Sequence, residues 1–139
     1  MFLGKYYHTL EEKGRVSLPK AFRDQTQSWI VTRGLDGCLF LFEATQFATE
    51  LTKLGERTFT KKAHRDVTRL LANEAAEISV DASGRIHLPE YLINQAQLSK
   101  DLVIAGNYNR IEIWNRERYH QYLSVLESQA EEIAEHVEN

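Results

Sequence analysis

The segment EEKGRVSLP at residues 11–19 returns as DASGRIHLP at residues 81–89 of a 139-residue chain, and this repeat constrains the fold more than any other feature. Gly14, Arg15, Leu18 and Pro19 recur as Gly84, Arg85, Leu88 and Pro89 at an offset of 70, with aliphatic Val16 answered by Ile86. Further on, residues 30–34 match 102–106 and residues 39–42 match 111–114 at an offset of 72, so the second copy carries a two-residue insertion. Phe47 over Tyr119 extends the match. Each copy reads as strand, strand, short helix, strand, strand. Residues 5–10 and 15–18 alternate as strands and are expected to form a hairpin whose Gly14 takes the positive φ that other residues resist. Period two then sets Val16 and Leu18 on one face and Arg15 and Ser17 on the other, as it sets Ile86 and Leu88 against Arg85 and His87. The arginines are expected to face outward. Pro19 and Pro89 suit a first helical turn, making KAFRDQ and EYLINQA short helices, and the second strand pairs turn at Asp36-Gly37 and at Asn107-Tyr108-Asn109.

A unit of about 40 residues leaves too much of its hairpin faces open to be stable alone, so the two copies should share one core in a pseudo-symmetric α+β body. The expected divisions are unit 1 at 5–47, a helical connection at 48–76, unit 2 at 77–120 and a C-terminal helix at 121–139. Within the connection, residues 45–54 and 58–75 read as helices separated at Gly55. Phe47, Leu51 and Leu54 form one apolar stripe, and Ala63, Val67, Leu70 and Leu71 another. Asn115 is the expected N-cap of one long final helix striped by Tyr119, Tyr122, Leu123, Leu126, Ala130, Ile133 and Val137. That helix ends acidic, with Glu127, Glu131, Glu132, Glu135 and Glu138.

Charge is segregated along the chain. Residues 1–73 hold 12 Lys and Arg against 8 Asp and Glu, a net +4, whereas residues 74–139 hold 5 against 12, a net −7. Electrostatic attraction acts through local patches, so the overall −3 does not exclude a nucleic-acid partner. No apolar run approaches the ~20 residues of a membrane span, and the first ten residues lack the plan of a signal peptide, which points to a cytoplasmic protein. Cys38 has no second cysteine to pair with and reads as a small buried hydrophobe. His8, His64, His87, His120 and His136 stand singly, without metal-site spacing, so neither metal nor cofactor is expected. No nucleophile elbow, paired catalytic carboxylates or phosphate loop suggests an enzyme. Arg57, Lys61, Arg65 and Arg69 recur every four residues, drift around a helix by about 40° per step, and read as a solvated face. Trp29, Trp114 and the strand tyrosines read as core.

In the twin turn, an acidic first residue can accept hydrogen bonds from the backbone two or three residues on, glycine supplies the unusual dihedral, and the following arginine leaves from a rigid exit. Such an arginine loses less entropy when it grips a phosphate or a base edge. With the stretches MFLGKYYHTLEEKGRVSLPKAFR, LDGCLFLF, DASGRIHLP and NYNRIEIWNRERYHQY, the chain resembles the MraZ family of bacterial transcriptional regulators over nearly its whole length. Members of that family contain two AbrB/SpoVT-type units of ββαββ form. The family motif, Asp followed four residues later by Arg, maps onto Asp81 to Arg85 and onto Glu11 to Arg15; the longer Glu11 departs from it and closes an Asp-type turn less well. The resemblance implies a swapped-hairpin β-barrel formed within one chain, assembly into a homo-oligomeric ring, and a nucleoid-associated repressor. The implied partner is double-stranded DNA: short G-rich direct repeats upstream of the regulator's own division and cell-wall gene cluster. For such a partner the chemistry gives base contact to Arg15 or Arg85, turn formation to Glu11, Gly14, Asp81 and Gly84, and phosphates to Lys5, Lys13 and Lys20; the resemblance does not decide which copy touches DNA, and the basic first half favours Arg15. An AbrB-like antitoxin or protein-interaction module working through the C-terminal helix is the alternative.

Overall fold

Both copies fold into the same order of elements, but their strands pair chiefly across copies. The computed structural model describes residues 1–58 and 60–137. The first copy supplies β1 (Lys5–Thr9), a 3-10 turn (Glu12–Gly14), β2 (Arg15–Ser17), α1 (Lys20–Arg23), β3 (Ser28–Arg33) and β4 (Leu39–Glu43). Two helices follow, α2 (Ala44–Thr58) and α3 (Lys62–Asn73). The second copy supplies β5 (Ala76–Ser79), β6 (Arg85–His87), α4 (Glu90–Gln95), β7 (Asp101–Gly106) and β8 (Ile111–Asn115), and α5 (Arg116–Ser128) and α6 (Ala130–His136) end the chain. A six-stranded antiparallel sheet has the order β1-β7-β8-β4-β3-β5, and β2 pairs with β6 in a separate two-stranded ribbon.

The hairpin expected between β1 and β2 is therefore not formed. Each turn keeps a single hairpin-like bond, Glu11 N–H to Arg15 O at 2.8 Å and Asp81 N–H to Arg85 O at 2.9 Å. Beyond that bond β1 goes to β7, β5 goes to β3, and the two second strands find each other. The turn dihedrals are not the cause, since Lys13 and Gly14 both have positive φ in the first turn and only Gly84 does in the second, yet both copies divide alike; what the division achieves is to bury Val16 and Ile86 together against the shared core. The later turns match expectation, with Asp36 and Gly37 at φ 65° and 95° and with Asn107 N–H bonded to Arg110 O at 2.8 Å.

The pairing registers locate the symmetry. In the ribbon, Val16 faces Ile86, and in the main sheet Phe40 faces Glu112. Each of these is a pair of equivalent positions from the two copies, so one pseudo-two-fold axis passes between both. At the axis Glu112 breaks the chemical symmetry, its carboxylate accepting from Trp114 Nε1 and Arg110 Nη2 at 3.1 Å each.

The main sheet is buried on both faces. On one, Trp29, Val31, Leu39, Leu41, Leu102, Ile104, Ile111 and Ile113 pack against Val16, Leu18, Ile86 and Leu88 and against Phe22 and Leu92 of the short helices. On the other, Ile30, Phe40, Phe42, Val103, Ala105 and Trp114 lie beneath Phe47, Leu51, Leu71 and Tyr119 of α2, α3 and α5. Burial on both sides explains why β4 and β7 read as nearly unbroken apolar runs. Each large apolar side chain so buried contributes about 1.5–3 kcal/mol. Thr32, buried between sheet and helix, donates to Leu71 O at 2.6 Å and so satisfies its hydroxyl.

The helices differ from expectation in three places. α2 runs through Gly55, whose missing Cβ would meet only open space, because an exposed helical glycine costs about 1 kcal/mol without forcing a break. α3 begins at Lys62, with Leu71 against the sheet but Leu70 exposed. The final helix is cut at Gln129, where φ is −119°, and all of α6 is exposed. Asn115 caps α5 as expected, its Oδ1 accepting from Arg118 N–H at 3.2 Å. The side chain of Arg57 and all of Glu138 lie outside the described residues. Pro19 and Pro89 stand one place before the first helical turn, as N-caps.

The chain start closes one end of the sheet. Phe2 and Tyr108 exchange backbone hydrogen bonds at 2.9 and 2.7 Å, and a Cβ on Gly106 would stand 2.5 Å from Leu3 N. Gly106→Ala is therefore expected to lower stability by about 1–3 kcal/mol, read as a lower urea midpoint at unchanged slope.

Candidate functional site

The ribbon β2–β6 has an inner face, where Val16 and Ile86 are buried, and an outer face carrying Arg15, Ser17, Arg85 and His87. Register places Arg15 opposite His87 and Ser17 opposite Arg85. The two arginines thus project outward from symmetry-related positions, as period two required.

Their rigidity comes from the turns and from the way each turn clasps the other copy. Gly14 O accepts from Leu88 N–H at 2.9 Å, and Gly84 O accepts from Leu18 N–H at 3.1 Å. Gly14 and Gly84 both have positive φ, 74° and 79°, and neither has room for a side chain. A Cβ on Gly14 would lie 2.8 Å from Leu88 O, and one on Gly84 would lie 2.9 Å from the Arg23 guanidinium. Arg23 itself donates through Nη1 to Leu18 O at 2.9 Å. Its counterpart at the offset of 70 is Ile93, and there an open groove of about 420 Å³ remains, lined by Lys13, Gly14, His87, Leu88, Glu90 and Ile93.

The acidic residues of the two turns act differently. Asp81 Oδ1 accepts from Ser83 N–H at 2.8 Å and from Arg85 N–H at 3.0 Å. These bonds, led by the Arg85 N–H, hold its carboxyl below the ordinary aspartate range. Glu11 instead reaches out of its own turn. Its Oε2 accepts from Ser17 Oγ at 3.3 Å and its Oε1 from Arg85 Nη1 at 3.2 Å, in the other copy. Arg85 Nε also lies 3.4 Å from Asp81 Oδ2, and the Arg85 side chain is 30% exposed. Among the described residues Arg15 has neither an ion pair nor a side-chain hydrogen bond.

The expected phosphate-binding lysines are distributed unequally. Lys13 is exposed beside the ribbon, on the rim of the groove. Lys20 is exposed at the start of α1, its ammonium 2.6 Å from Asp24. Lys5 stands apart. Its ammonium lies 5.5 Å over the ring of Tyr119, which packs on the helix-covered face of the sheet, across from the ribbon. Of the basic row along α3, Lys61 and Arg69 are exposed, Arg69 lying 2.9 Å from Asp66, whereas Arg65 is half-buried.

Little other chemistry is assembled. Among the described residues no group of three or more His, Cys, Asp or Glu could hold a metal ion, and no helix is long and apolar enough to cross a membrane. Burial pushes the Cys38 thiol up, leaving it a packing residue. Sequence reasoning missed the reach of Glu11 to Arg85 and the filling of one turn by Arg23. Both had a visible signal, since Glu11 stands where the second copy has Asp81 and Arg23 where it has Ile93.

A family profile described as "MraZ protein, putative antitoxin-like" matches residues 1–70 and again residues 71–138. The chain belongs to the MraZ family. Its relatives include proteins named transcriptional regulator MraZ from Pediococcus pentosaceus, 38% identical over 99% of this chain and 96% of the relative, and from Carboxydothermus hydrogenoformans, 40% identical over 97% and 95%. A third, from Ligilactobacillus salivarius, is 39% identical over 99% and 96%. The two profile matches divide this MraZ chain in the last turn of α3, so each match carries one glycine-arginine turn.

Because Asp81 is bound as a carboxylate, its contribution is complete above the ordinary carboxyl range near pH 4 and is lost as pH falls through its lower folded value. Asp81→Asn should therefore melt below wild type at pH 7, and the gap should close as the pH is taken from 4 toward 2. A gap that stayed constant would show that the charge of Asp81 does not hold the turn.

Proposed function

We propose that this chain is a sequence-specific DNA-binding transcriptional regulator, acting as a repressor on short G-rich direct repeats upstream of its own division and cell-wall gene cluster. The observation that carries the reading is the placement of Arg15 and Arg85 on the outer face of a two-stranded antiparallel ribbon with pseudo-two-fold symmetry. The major groove admits such a ribbon, and an arginine forked onto guanine O6 and N7 is the commonest specific contact there, worth about 1–3 kcal/mol of discrimination. Lys13 and Lys20 flank the ribbon and are suited to phosphates, which fix position without reading sequence. The relatives' name, transcriptional regulator, agrees in class.

The finer architecture belongs to the same proposal. Two AbrB-like units at 5–47 and 77–120, joined by helices, form a swapped-hairpin barrel, for which the cross-copy pairings β1–β7, β5–β3 and β2–β6 speak. Several such chains form a ring, so that modest contacts on spaced repeats accumulate through high effective concentration. The protein works in the cytoplasm, on the nucleoid.

One observation favours a second reading, a protein-interaction or antitoxin-like module. α6 is exposed along its whole length and presents Ile133 beside glutamates, with Val137 exposed just past its end. Gel filtration with a mobility-shift assay separates the two: a monomer or dimer that fails to shift a G-rich repeat duplex in 50 mM salt favours the module.

Arg15→Ala is expected to abolish the specific shift while leaving oligomer size and melting temperature nearly unchanged, and Arg85→Ala to weaken it less. Wild-type affinity should also fall steeply between 50 and 200 mM salt. Undiminished binding by the Arg15 variant would overturn the assignment, and a greater loss at Arg85 would exchange the roles of the copies.

A further inference from the structure

The two arginines occupy equivalent positions but have different neighbours. Arg85 Nη1 sits 3.2 Å from Glu11 Oε1, and its Nε sits 3.4 Å from Asp81 Oδ2. Arg15 has no such partner among the described residues. The difference follows from side-chain length. Asp81 is short and closes onto the backbone of its own turn. Glu11 is one methylene longer, is steadied by Ser17 Oγ at 3.3 Å, and crosses the ribbon to Arg85. At the position equivalent to Ser17 the second copy has His87, opposite Arg15. A carboxylate offers a guanidinium two acceptor oxygens in one plane, as the Hoogsteen edge of guanine does. Any base edge that takes the Nη1 donor of Arg85 must therefore compete with Glu11, whose negative charge also faces the incoming phosphates.

We infer that Glu11 is a built-in competitor that withholds Arg85 from DNA, making Arg15 the reading arginine and Arg85 a reserve one. This inference rests on the DNA-binding reading above and concerns how its surface is regulated. The opposite role, a buttress that aims Arg85 at the base, predicts the opposite sign for the same substitutions.

The test uses Glu11→Asp, Glu11→Gln and the control Glu12→Gln in the full chain, each checked for unchanged size and circular dichroism. Binding is read by fluorescence anisotropy on a labelled duplex carrying tandem G-rich repeats and on a mixed-sequence duplex. Glu11→Gln keeps the length of the side chain and removes its charge, whereas Glu11→Asp keeps the charge, leaves Arg85 and closes onto its own turn beside Arg15, as Asp81 lies beside Arg85. Glu11→Gln is expected to bind the repeat duplex about 1.5- to fivefold more tightly, the range of releasing one partly exposed ion pair, and Glu11→Asp to gain less. The gain should vanish in an Arg85→Ala background, and Glu12→Gln should give less than half of it. Glu11→Gln binding no more tightly than wild type overturns the inference, and so does a gain that persists without Arg85. Failure of wild type itself to bind either duplex in 50 mM salt removes the function proposed above, and this inference with it; a binding wild type with unmoved variants removes this inference alone.

Discussion

Three residues of β2 hydrogen-bonded to three residues of β6 are the contact on which the exposed chemistry of this protein depends. A ribbon that short has no stability of its own. It persists because Val16 and Ile86 are buried against the six-stranded sheet, and because Gly14 and Gly84 accept from the strand exits of the opposite copy. Neither half of the sequence could build this contact alone. The outward arginines are thus held by the same burial that holds the fold, so rigidity at the site and stability of the core are one property seen from two sides.

Cross-copy pairing also accounts for what was legible in the sequence and what was not. Period two along Arg15–Leu18 and Arg85–Leu88 assigns inner and outer faces whichever strand lies alongside, so the facing of the arginines could be read without knowing the pairing. The partner strand could not be read. Alternation says which face is buried, whereas choosing between a local hairpin and a distant strand depends on the core that the two copies share, and no residue within one copy reports that partner. Gly55 misled for a related reason: a breaker acts only where the helix has an alternative, and packing of Phe47 and Leu51 on the sheet fixes α2 on the N-terminal side.

The pseudo-symmetry is a property of the backbone more than of the chemistry. Phe40 faces Glu112 across the axis, Arg23 fills a turn that Ile93 leaves open, and Glu11 bridges where Asp81 folds back. These substitutions leave the registers centred on the axis because none of them changes which atoms of the ladder bond. A repeat can therefore diverge in surface chemistry while its strand pairing stays fixed, and the outer face of the ribbon is where that freedom is greatest.

That freedom bears on the acidity of the chain. A net charge of −3 opposes approach to a polyanion at long range, yet beyond about 8–10 Å at physiological salt the opposition is largely screened. Within that distance the nearest groups on the ribbon are Arg15, Lys13 and a partly neutralised Arg85, while the glutamates of α6 lie in a separate terminal helix. Local geometry therefore decides the sign of the encounter. Weak positive patches repeated through an assembly would hold only where sites recur at matching spacing, and the excess negative charge elsewhere would discourage binding to DNA that lacks such repeats.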